Sequence, residues 1–539
     1  MTNGPNETAI EPGAREEAPG ARRAKSAVRV GRDTGVLMAG DLFDRGLGFL
    51  FLIVATKIYG LEIYGAYLIA LGVFQIVRAI VSFGLGRSLV RDAAAAIAIE
   101  DAARLKGAIK FGFMLSLSLA LVCGSALLLG TGEIVAVFLP TQTKIIEPIR
   151  VFGFLTPIFS FNFVLLQALY GMGRIRDMVV ANNVVEPLAR LLALLALFGA
   201  GVSGYYAIPA AYAIALVASS VCALAVFARH VWPMIAGVKA VMRVKETLAF
   251  VVPLTLNDLA TKSFRAFNIG VFAVYRTTVD VSIFNVALKL TGVAYFFSGS
   301  LMGAFRPRIA ALLAQGQNDV LSAETRVYTR WIVTFALIPY GLMIAFPADV
   351  LGVLGSQFVP AAPTLRILCI ALLIGQAAGP LMALLVMSGR ARQSVYCLVA
   401  AASFYTLLAL RFVPEYGTVG AAMCGLVTVL MLVPVMSIYV QRALKIRLYG
   451  RRMLKPVFAM AIALSVGLIV SRLLPDMSAD EGHHLLQIVR TAVIAAVVVG
   501  GYVALLVRLG IEPEERAILE EAAGPLLKIR RKVRRMFAR

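Results

Sequence analysis

The chain has 539 residues, of which 60% are hydrophobic and only 15% are charged, and its mean hydropathy is +0.84. This composition is far more apolar than that of soluble domains, and it excludes soluble enzymes, collagen-like chains and disordered proteins. Apolar runs of about 20 residues recur, each long enough to cross about 30 Å of hydrocarbon as a helix. We therefore expect an all-α, polytopic membrane protein, and the net charge of +22 has to be explained on that basis.

Apolar runs separated by charges and by Gly/Pro clusters predict about fourteen transmembrane helices. They start near residues 34, 64, 108, 148, 178, 205, 248, 280, 328, 364, 394, 417, 456 and 485. Of the 52 Lys and Arg residues, 38 lie in the termini and alternate connections on one side, and 8 lie in the opposite connections. Because cytoplasmic connections carry such an excess, both termini are predicted to be cytoplasmic, and nucleic-acid binding is not needed to explain the charge.

Two shifts of the sequence indicate a duplicated unit of six helices. A shift of 217 residues lays Asp41 on Asp258 and Arg45 on Lys262, and a shift of 216 lays Gly173-Arg174-Ile175-Arg176 on Gly389-Arg390-Ala391-Arg392. A unit with an even number of spans repeats in the same orientation, so the repeat is parallel. Two such lobes around a site at the membrane midplane are typical of transporters.

The chain accordingly divides into six predicted regions. Residues 1–33 are polar and rich in Pro, Gly, Glu and Arg, which indicates a disordered cytoplasmic arm rather than a secretory signal. The others are an N-lobe at 34–230, a cytoplasmic linker at 231–246, a C-lobe at 247–443, an appended pair of spans at 444–510 and a cytoplasmic tail at 511–539. In the tail, basic and apolar residues interleave as in an amphipathic helix on anionic lipid, and a solvated basic tail is the open alternative.

Charged residues inside the spans are expected to face a partner or a watery cavity, because a charge at the bilayer centre costs roughly 2.5 to 3.5 kcal/mol. Their helical spacing places them on shared stripes. The bases are Arg45, Arg78, Arg190, Lys262, Arg265 and Lys289, and the acids are Asp41, Asp44, Glu186 and Asp258. The six bases exceed the four acids by two, so a cavity lined by these stripes is expected to prefer an anion such as a phosphate or diphosphate.

A plainer interpretation stays open. Asp41, Glu186 and Asp258 each precede a base by four residues, the spacing of helical ion pairs, so the charges would only lock helices together. In the transport hypothesis the six bases hold the substrate and the four acids pair with them or couple transport to a cation. The short turns carry four more arginines. The simpler interpretation is that they set the membrane topology, and the alternative is that they form a cytoplasmic gate. These are Arg174, Arg176, Arg390 and Arg392.

No cofactor or metal is predicted. The five cysteines lie in apolar spans without a Cys-x-x-Cys spacing, and no zinc pattern accompanies the histidines. A Gly-Lys-Ser/Thr phosphate loop is also missing from the sequence, so ATP hydrolysis by that route is not expected.

Several loose motifs occur in a characteristic order. They are Tyr59-Gly60-Leu61-Glu62-Ile63-Tyr64-Gly65-Ala66-Tyr67, Gly84-Leu85-Gly86-Arg87, Gly171-Met172-Gly173-Arg174, Phe346-Pro347-Ala348-Asp349 and Leu354-Gly355-Ser356-Gln357-Phe358-Val359-Pro360-Ala361-Ala362. With them the chain resembles, over residues 34–443, the Wzx-type polysaccharide flippases of the multidrug/oligosaccharidyl-lipid/polysaccharide exporter superfamily. The resemblance implies two six-helix lobes in the bacterial inner membrane. It also implies alternating access that moves undecaprenyl-diphosphate-linked oligosaccharide from the cytoplasmic to the periplasmic leaflet for surface polysaccharide biosynthesis.

Expected partners are the lipid-linked oligosaccharide, membrane lipids, and a polysaccharide polymerase with its chain-length regulator. With fourteen predicted spans instead of twelve, the chain also resembles the lipid II flippases, so a lipid II flippase is one alternative function. A drug or cation antiporter of the same superfamily would require a cavity dominated by carboxylates, and the excess of bases argues against it. A membrane-embedded polymerase or ligase would need a large periplasmic loop, whereas the longest outward connections, near 131–148, 347–363 and 473–485, are short.

Overall fold

The computed structural model describes residues 19–138, 142–252, 255, 274–446, 448, 450–474 and 484–509. Throughout these residues all regular secondary structure is helical, which confirms the predicted all-α class. Ten helices within them are long and apolar enough to cross a membrane. Most of the predicted seventh span, with Asp258, Lys262 and Arg265, lies outside the described residues, and so does the predicted tail at 511–539. The count of fourteen spans stays a prediction.

The first half of the chain contains eight helices that we label, together with a 3-10 turn at Thr143–Ile145 and a π-helix at Val180–Val185. They are α1 (Pro19–Ser82), α2 (Leu85–Ala98), α3 (Ala102–Phe138), α4 (Ile146–Gly171), α5 (Ile175–Val179), α6 (Glu186–Gly199), α7 (Ala207–His230) and α8 (Trp232–Ile235). Residues 244–252 are also helical. Since α1 begins at Pro19, part of the predicted disordered arm is helical, and the frequent Ala, Arg and Lys residues there explain this by their helix propensity.

The second half continues with further helices and two 3-10 turns, at Ser356–Ala361 and Arg451–Met453. The helices are α9 (Thr278–Ala314), α10 (Asn318–Ala345), α11 (Pro347–Leu354), α12 (Ala362–Ala377), α13 (Gly379–Met387), α14 (Ala391–Leu444), α15 (Leu454–Leu473) and α16 (His484–Arg508).

Two long helices are interrupted by a glycine. Gly60 in α1 has φ 81° and ψ 168°, and Gly417 in α14 has φ 57° and ψ −130°. An L-residue with a Cβ pays a steric cost for such dihedrals, whereas glycine does not. The breaks fall where the sequence predicts one span to end and the next to begin, near residues 64 and 417. Each helix therefore consists of two segments of membrane length.

The turn between α4 and α5 and the turn between α13 and α14 have the same backbone hydrogen bonds, 216 residues apart. The bonds are Arg174 N–H to Leu169 C=O and Gly173 N–H to Tyr170 C=O in the first turn, and Arg390 N–H to Leu385 C=O and Gly389 N–H to Val386 C=O in the second. Gly173 and Gly389 have φ values of 72° and 78°, as in glycine-terminated helices. The turns that carry the repeated Gly-Arg-x-Arg motif thus share one local structure.

The contacts divide the chain into two compact units. Unit 1 comprises Met1–Val54, Phe74–Thr131 and Ile149–Ala260, and unit 2 comprises Ala55–Val73, Gly132–Pro148 and Thr261–Arg539. Each unit has its own buried core, which includes Leu105, Val164 and Phe227 in unit 1 and Phe305, Leu384 and Val440 in unit 2. This division into two units does not test the six regions predicted from the sequence, which stay a prediction.

Candidate functional site

Most of the predicted charges that the structure describes lie in unit 1, in a group of side chains that we call the unit 1 polar cluster. Its members come from α1, the π-helix, α6 and α7, and they are Asp41, Asp44, Arg78, Asn183, Glu186, Arg190 and Tyr212. The predicted base Arg45, also on α1, is exposed. Polar residues that the sequence places along one face of a single helix therefore lie together with polar side chains of other helices. Such polar groups within membrane spans are expensive, and they mark functional sites more often than other buried positions do.

The π-helix places Asn183 against α1. Its Nδ2 donates to Asp41 Oδ1 over 2.9 Å. The two segments approach closely here because Gly40 has no side chain: an added Cβ would lie 2.4 Å from Val179 Cγ1. A π-helical turn changes the direction in which the following side chains point, and such turns are frequent at functional sites.

Arg190 lies between two carboxylates. Its Nη1 is 3.5 Å from Glu186 Oε1, its Nη2 is 4.0 Å from Asp44 Oδ1, and its side chain is only 16% exposed. The guanidinium carbon also lies 5.1 Å from the centre of the Phe51 ring. Arg190 is therefore largely neutralised within the unit, and an incoming anion has to compete with the two acids for it.

Arg78 has a different environment. Its guanidinium carbon lies 4.3 Å from the centre of the Phe159 ring and its Nη1 donates to the Tyr212 hydroxyl over 3.4 Å. In the described part of the chain, no carboxylate lies within ion-pair distance of this half-buried guanidinium. A cation–π contact and one hydroxyl hold the group without neutralising it, and most of its five N–H donors are left for an anion.

The predicted pairs at a spacing of four residues are only partly formed. Glu186 pairs with Arg190, whereas Asp41 Oδ1 accepts a hydrogen bond from Asn183, and the pair of Asp41 with Arg45 stays a prediction. The spacing rule considers one helix alone, so it does not predict the amide that reaches Asp41 from a neighbouring helix. Asp258 and Lys262, the third such pair, lie outside the described residues.

The charge balance of the predicted site can be given for the described residues only. Four predicted bases, Arg45, Arg78, Arg190 and Lys289, stand against three acids, which leaves an excess of one positive charge. In unit 1 the three bases and three acids balance formally. The larger excess expected from the sequence depends on Lys262 and Arg265, which lie outside the described residues.

Lys289 belongs to unit 2, where α9 packs on the midsegment of α1 (Ala55–Val73). Its Nζ donates to the Tyr64 hydroxyl over 3.1 Å, and the Ser282 hydroxyl, two turns earlier, donates to the Leu61 carbonyl over 2.6 Å. Between them, on the same face of α9 at a spacing of three and four residues, Asn285 has a buried Oδ1 that accepts no hydrogen bond among the described residues. The stripe on α9 thus contacts α1 at two points and retains an unused acceptor.

Other contacts hold the midsegment of α1 within unit 2. Lys144 Nζ lies 2.6 Å from Glu62 Oε1, and Gln357 Nε2 donates to Thr56 Oγ1 over 3.2 Å. At Gly65 the approach of α9 is closest, because an added Cβ would lie 1.9 Å from the Thr278 carbonyl oxygen. Only glycine permits this backbone contact.

The four arginines of the predicted gate lie at the two matching turns. Arg174 Nε pairs with Asp177 Oδ2 at 2.7 Å, whereas Arg176 is exposed. Arg390 is partly buried, and the exposed Arg392 has its guanidinium carbon 6.0 Å from the centre of the Tyr396 ring. Their role in a gate stays a prediction.

Several residues of the site were not predicted from the sequence. Tyr212 and Phe159, which hold Arg78, lie in apolar spans where aromatic residues are indistinguishable from core. Arg330 in α10 is 7% exposed, but it is not among the charges that the sequence analysis places inside the spans. No group of three or more metal-ligating side chains occurs in the described residues.

The fold matches solved structures of membrane transporters. An inward closed lipid II flippase MurJ superposes with a TM-score of 0.65 at 11% identity, over 88% of this chain and 100% of the flippase. An inward-facing multidrug resistance MATE family transporter of the MOP superfamily gives 0.63 at 16% identity, over 74% of this chain and 94% of the transporter. An outward-facing structure of that class gives 0.55 at 16% identity, over 77% and 95%. The chain therefore shares the fold of these solved structures.

The family follows from the sequence match. Residues 30–313 match the family of polysaccharide biosynthesis proteins, which is more than half of the chain. The protein belongs to this family, and the resemblance to the polysaccharide branch of the superfamily is confirmed. Among curated proteins, none matches the chain.

Proposed function

We propose that the protein carries an undecaprenyl-diphosphate-linked oligosaccharide from the cytoplasmic to the periplasmic leaflet of the bacterial inner membrane, for surface polysaccharide biosynthesis. Both termini lie in the cytoplasm in this proposal, and the protein moves its substrate without a chemical reaction. Substrate would come from cytoplasmic synthesis and pass to a polymerase with its chain-length regulator. Membership of the polysaccharide biosynthesis family supports the substrate class.

The observation that carries the proposal is the environment of Arg78. A lipid-linked sugar does not cross the bilayer unaided, because its diphosphate and hydroxyls would lose their hydration at several kcal/mol for each unsatisfied polar group. A guanidinium held by an aromatic ring and a hydroxyl, with no carboxylate of the described residues within ion-pair distance, can replace part of that water and bind phosphate oxygens as a fork.

The other predicted bases take different roles in this proposal. Arg45 and Lys289 remain predicted substrate-binding bases in this proposal, and so do Lys262 and Arg265, which lie outside the described residues. Arg190 exchanges between its two acids and the diphosphate, so that Asp44 and Glu186 return to it when the substrate leaves. Transport follows by alternating access around the bound headgroup.

The test is complementation of a deletion strain. Arg78→Gln is expected to reduce surface polysaccharide about tenfold or more and to leave the lipid-linked intermediate in the cytoplasmic leaflet, because one charge-assisted fork is lost. Arg78→Lys retains the charge and should keep part of the activity. Arg229→Gln, at an exposed position in the last turn of α7, is the matched control. The amount of protein in the membrane is measured for each variant.

The same strains distinguish the alternatives. Wild-type export from Arg78→Gln at normal protein levels contradicts the proposed site. If the deletion strain lyses with lipid II retained inside while surface polysaccharide is normal, the substrate is the peptidoglycan precursor. If lipid-linked repeat units reach the periplasm but are not polymerised, the protein acts as a polymerase and the flippase proposal fails.

A further inference from the structure

Unit 1 contains a second polar site, a cavity of about 300 Å³ at the point where α2 ends and α3 begins. It is closed on one side by residues 241–247 of the segment that leads to the second half of the chain. We call it the linker cavity, and its polar lining consists of Arg91, Asp92, Arg104, Arg243, Glu246 and Thr247. One candidate span ends at Ala98 and the next begins at Ala102, so the cavity lies beside the turn between two candidate spans.

The linker is attached to the helices by its backbone. Val241 N–H donates to the Ala103 carbonyl over 3.0 Å. On the next turn of α3, an added Cβ at Gly107 would lie 1.9 Å from the Val241 carbonyl oxygen. The linker therefore forms a fixed wall of the cavity, and the glycine permits its close approach.

Three arginines and two acids line the cavity, which leaves one positive charge in excess. Asp92 pairs with Arg91 at 2.9 Å, and Glu246 pairs with Arg243 at 3.2 Å. For Arg104 the structure describes a hydrogen bond of the backbone N–H, to Asp101, and no ion pair of the guanidinium with any described residue. The cavity thus contains an uncompensated guanidinium close to two others.

Unit 2 fills the corresponding place differently. The turn after α2 and the turn after α9 have equivalent backbone hydrogen bonds, Asp101 N–H to Ala96 C=O and Gln317 N–H to Leu312 C=O, at a shift of 216 residues. At that shift Asp92 corresponds to Arg308 and Ala108 to Glu324. In unit 2 this pair forms a fork, with Arg308 Nη2 2.8 Å and Nε 3.1 Å from Glu324 Oε1. In unit 1 the small Ala108 lines the cavity instead, so an internal carboxylate is replaced by open space among arginines.

We propose that the linker cavity binds the phosphate group of an anionic phospholipid of the cytoplasmic leaflet and thereby fastens the linker to α2 and α3. Arg91, Arg104 and Arg243 supply the fork-shaped donors that suit phosphate oxygens. The Phe111 ring, Ala95 and Ala108 provide an apolar wall for the glycerol end of the lipid. Basic pockets between helices at the cytoplasmic surface bind such headgroups, and the predicted orientation puts this cavity on that side.

Binding is measured on the full-length protein in a neutral detergent, with dihexanoyl phosphatidylglycerol, dihexanoyl phosphatidylcholine and inorganic phosphate as separate probes. Phosphatidylglycerol is expected to bind about tenfold more tightly than phosphatidylcholine, whose choline group faces arginines. It should also bind more tightly than inorganic phosphate, which lacks the apolar part. Equal affinity for inorganic phosphate and phosphatidylglycerol would identify a soluble phosphate as the ligand and overturn the lipid assignment.

Two variants test the site itself. Arg104→Gln should weaken phosphatidylglycerol binding about tenfold, and Ala108→Glu should abolish it by supplying the carboxylate that unit 2 has at this place. Arg229→Gln serves again as the control and should bind as the wild type does. Size-exclusion profiles show whether Ala108→Glu is folded, and if it is not, Arg104→Gln decides. Unchanged binding to Arg104→Gln contradicts the proposal.

Discussion

The ammonium group of Lys289 donates to the hydroxyl of Tyr64 over 3.1 Å, which joins α9 to the midsegment of α1 within unit 2. A phenol hydroxyl accepts the bond without neutralising the ammonium, unlike a carboxylate. The ammonium nitrogen also lies 5.8 Å from the centre of the same ring, within the range of a cation–π contact. The hydroxyl and the ring of Tyr64 thus hold the Lys289 ammonium in a defined position.

This arrangement predicts that charge and position at Lys289 can be separated by mutation. Lys289→Gln should reduce export about tenfold or more, because the charge is lost. Tyr64→Phe keeps the ring and the lysine charge but removes the acceptor, so export should fall only a few-fold, in keeping with one hydrogen bond of about 1 kcal/mol. Surface polysaccharide per amount of membrane-inserted protein is the measurement. A larger defect in Tyr64→Phe than in Lys289→Gln would show that the contact is structural.

A second prediction concerns the ring beneath Arg78. Phe159→Leu approximately preserves the apolar volume but removes the π face of the ring. The cation–π interaction that positions the guanidinium, worth about 0.5 to 2 kcal/mol, is then lost. Export should fall several-fold, and combining this change with Arg78→Gln should add little, since both act through one group. Phe198→Leu, at a ring that is 54% exposed, is the matched control. Fully additive effects of the two substitutions would show that Phe159 acts independently of Arg78.

The sequence predicted the helical class and the breaks near Gly60 and Gly417, because long apolar runs and turn-forming glycines are local signals. It placed Arg78 on a polar stripe but did not predict that Tyr212 and Phe159 hold it, since those contacts join residues far apart in the chain. The hydrogen bond from Asn183 to Asp41 was not predicted for the same reason. The π-helix at Val180–Val185, which positions Asn183, has no distinct pattern in an apolar segment.

A third prediction uses the backbone contact at Gly65. A Cβ there would meet the Thr278 carbonyl oxygen at 1.9 Å, and a backbone atom cannot move aside cheaply. Gly65→Ala should therefore force α1 and α9 apart, with a cost of about 1 to 3 kcal/mol as in overpacked cores. Thermal unfolding of the purified protein should show a lower midpoint.

Gly46→Ala is the control for that experiment. Gly46 lies in the same helix and nothing lies within 4 Å of the position of its added Cβ, so its midpoint should be unchanged or slightly raised by the better helix propensity of alanine. Equal midpoints for the two variants would mean that the contact at Thr278 contributes no constraint.

The last prediction concerns the helices that follow the second predicted lobe. Arg490 Nη1 of α16 lies 3.0 Å from Asp349 Oδ1 of α11, and the two side chains are only 12% and 17% exposed. Removing one partner leaves the other charge buried, at a cost of about 3 to 5 kcal/mol, so Asp349→Asn should lower the unfolding midpoint clearly. Replacing both, with Asp349→Leu and Arg490→Met together, leaves no buried charge and should be less destabilising than either single change.

The exposed pair Arg411 and Glu415 in α14 is the control, and Glu415→Gln should leave the midpoint at the wild-type value. A double variant that is less stable than both single variants would show that the pair itself, rather than the absence of an isolated charge, fastens α16 to α11.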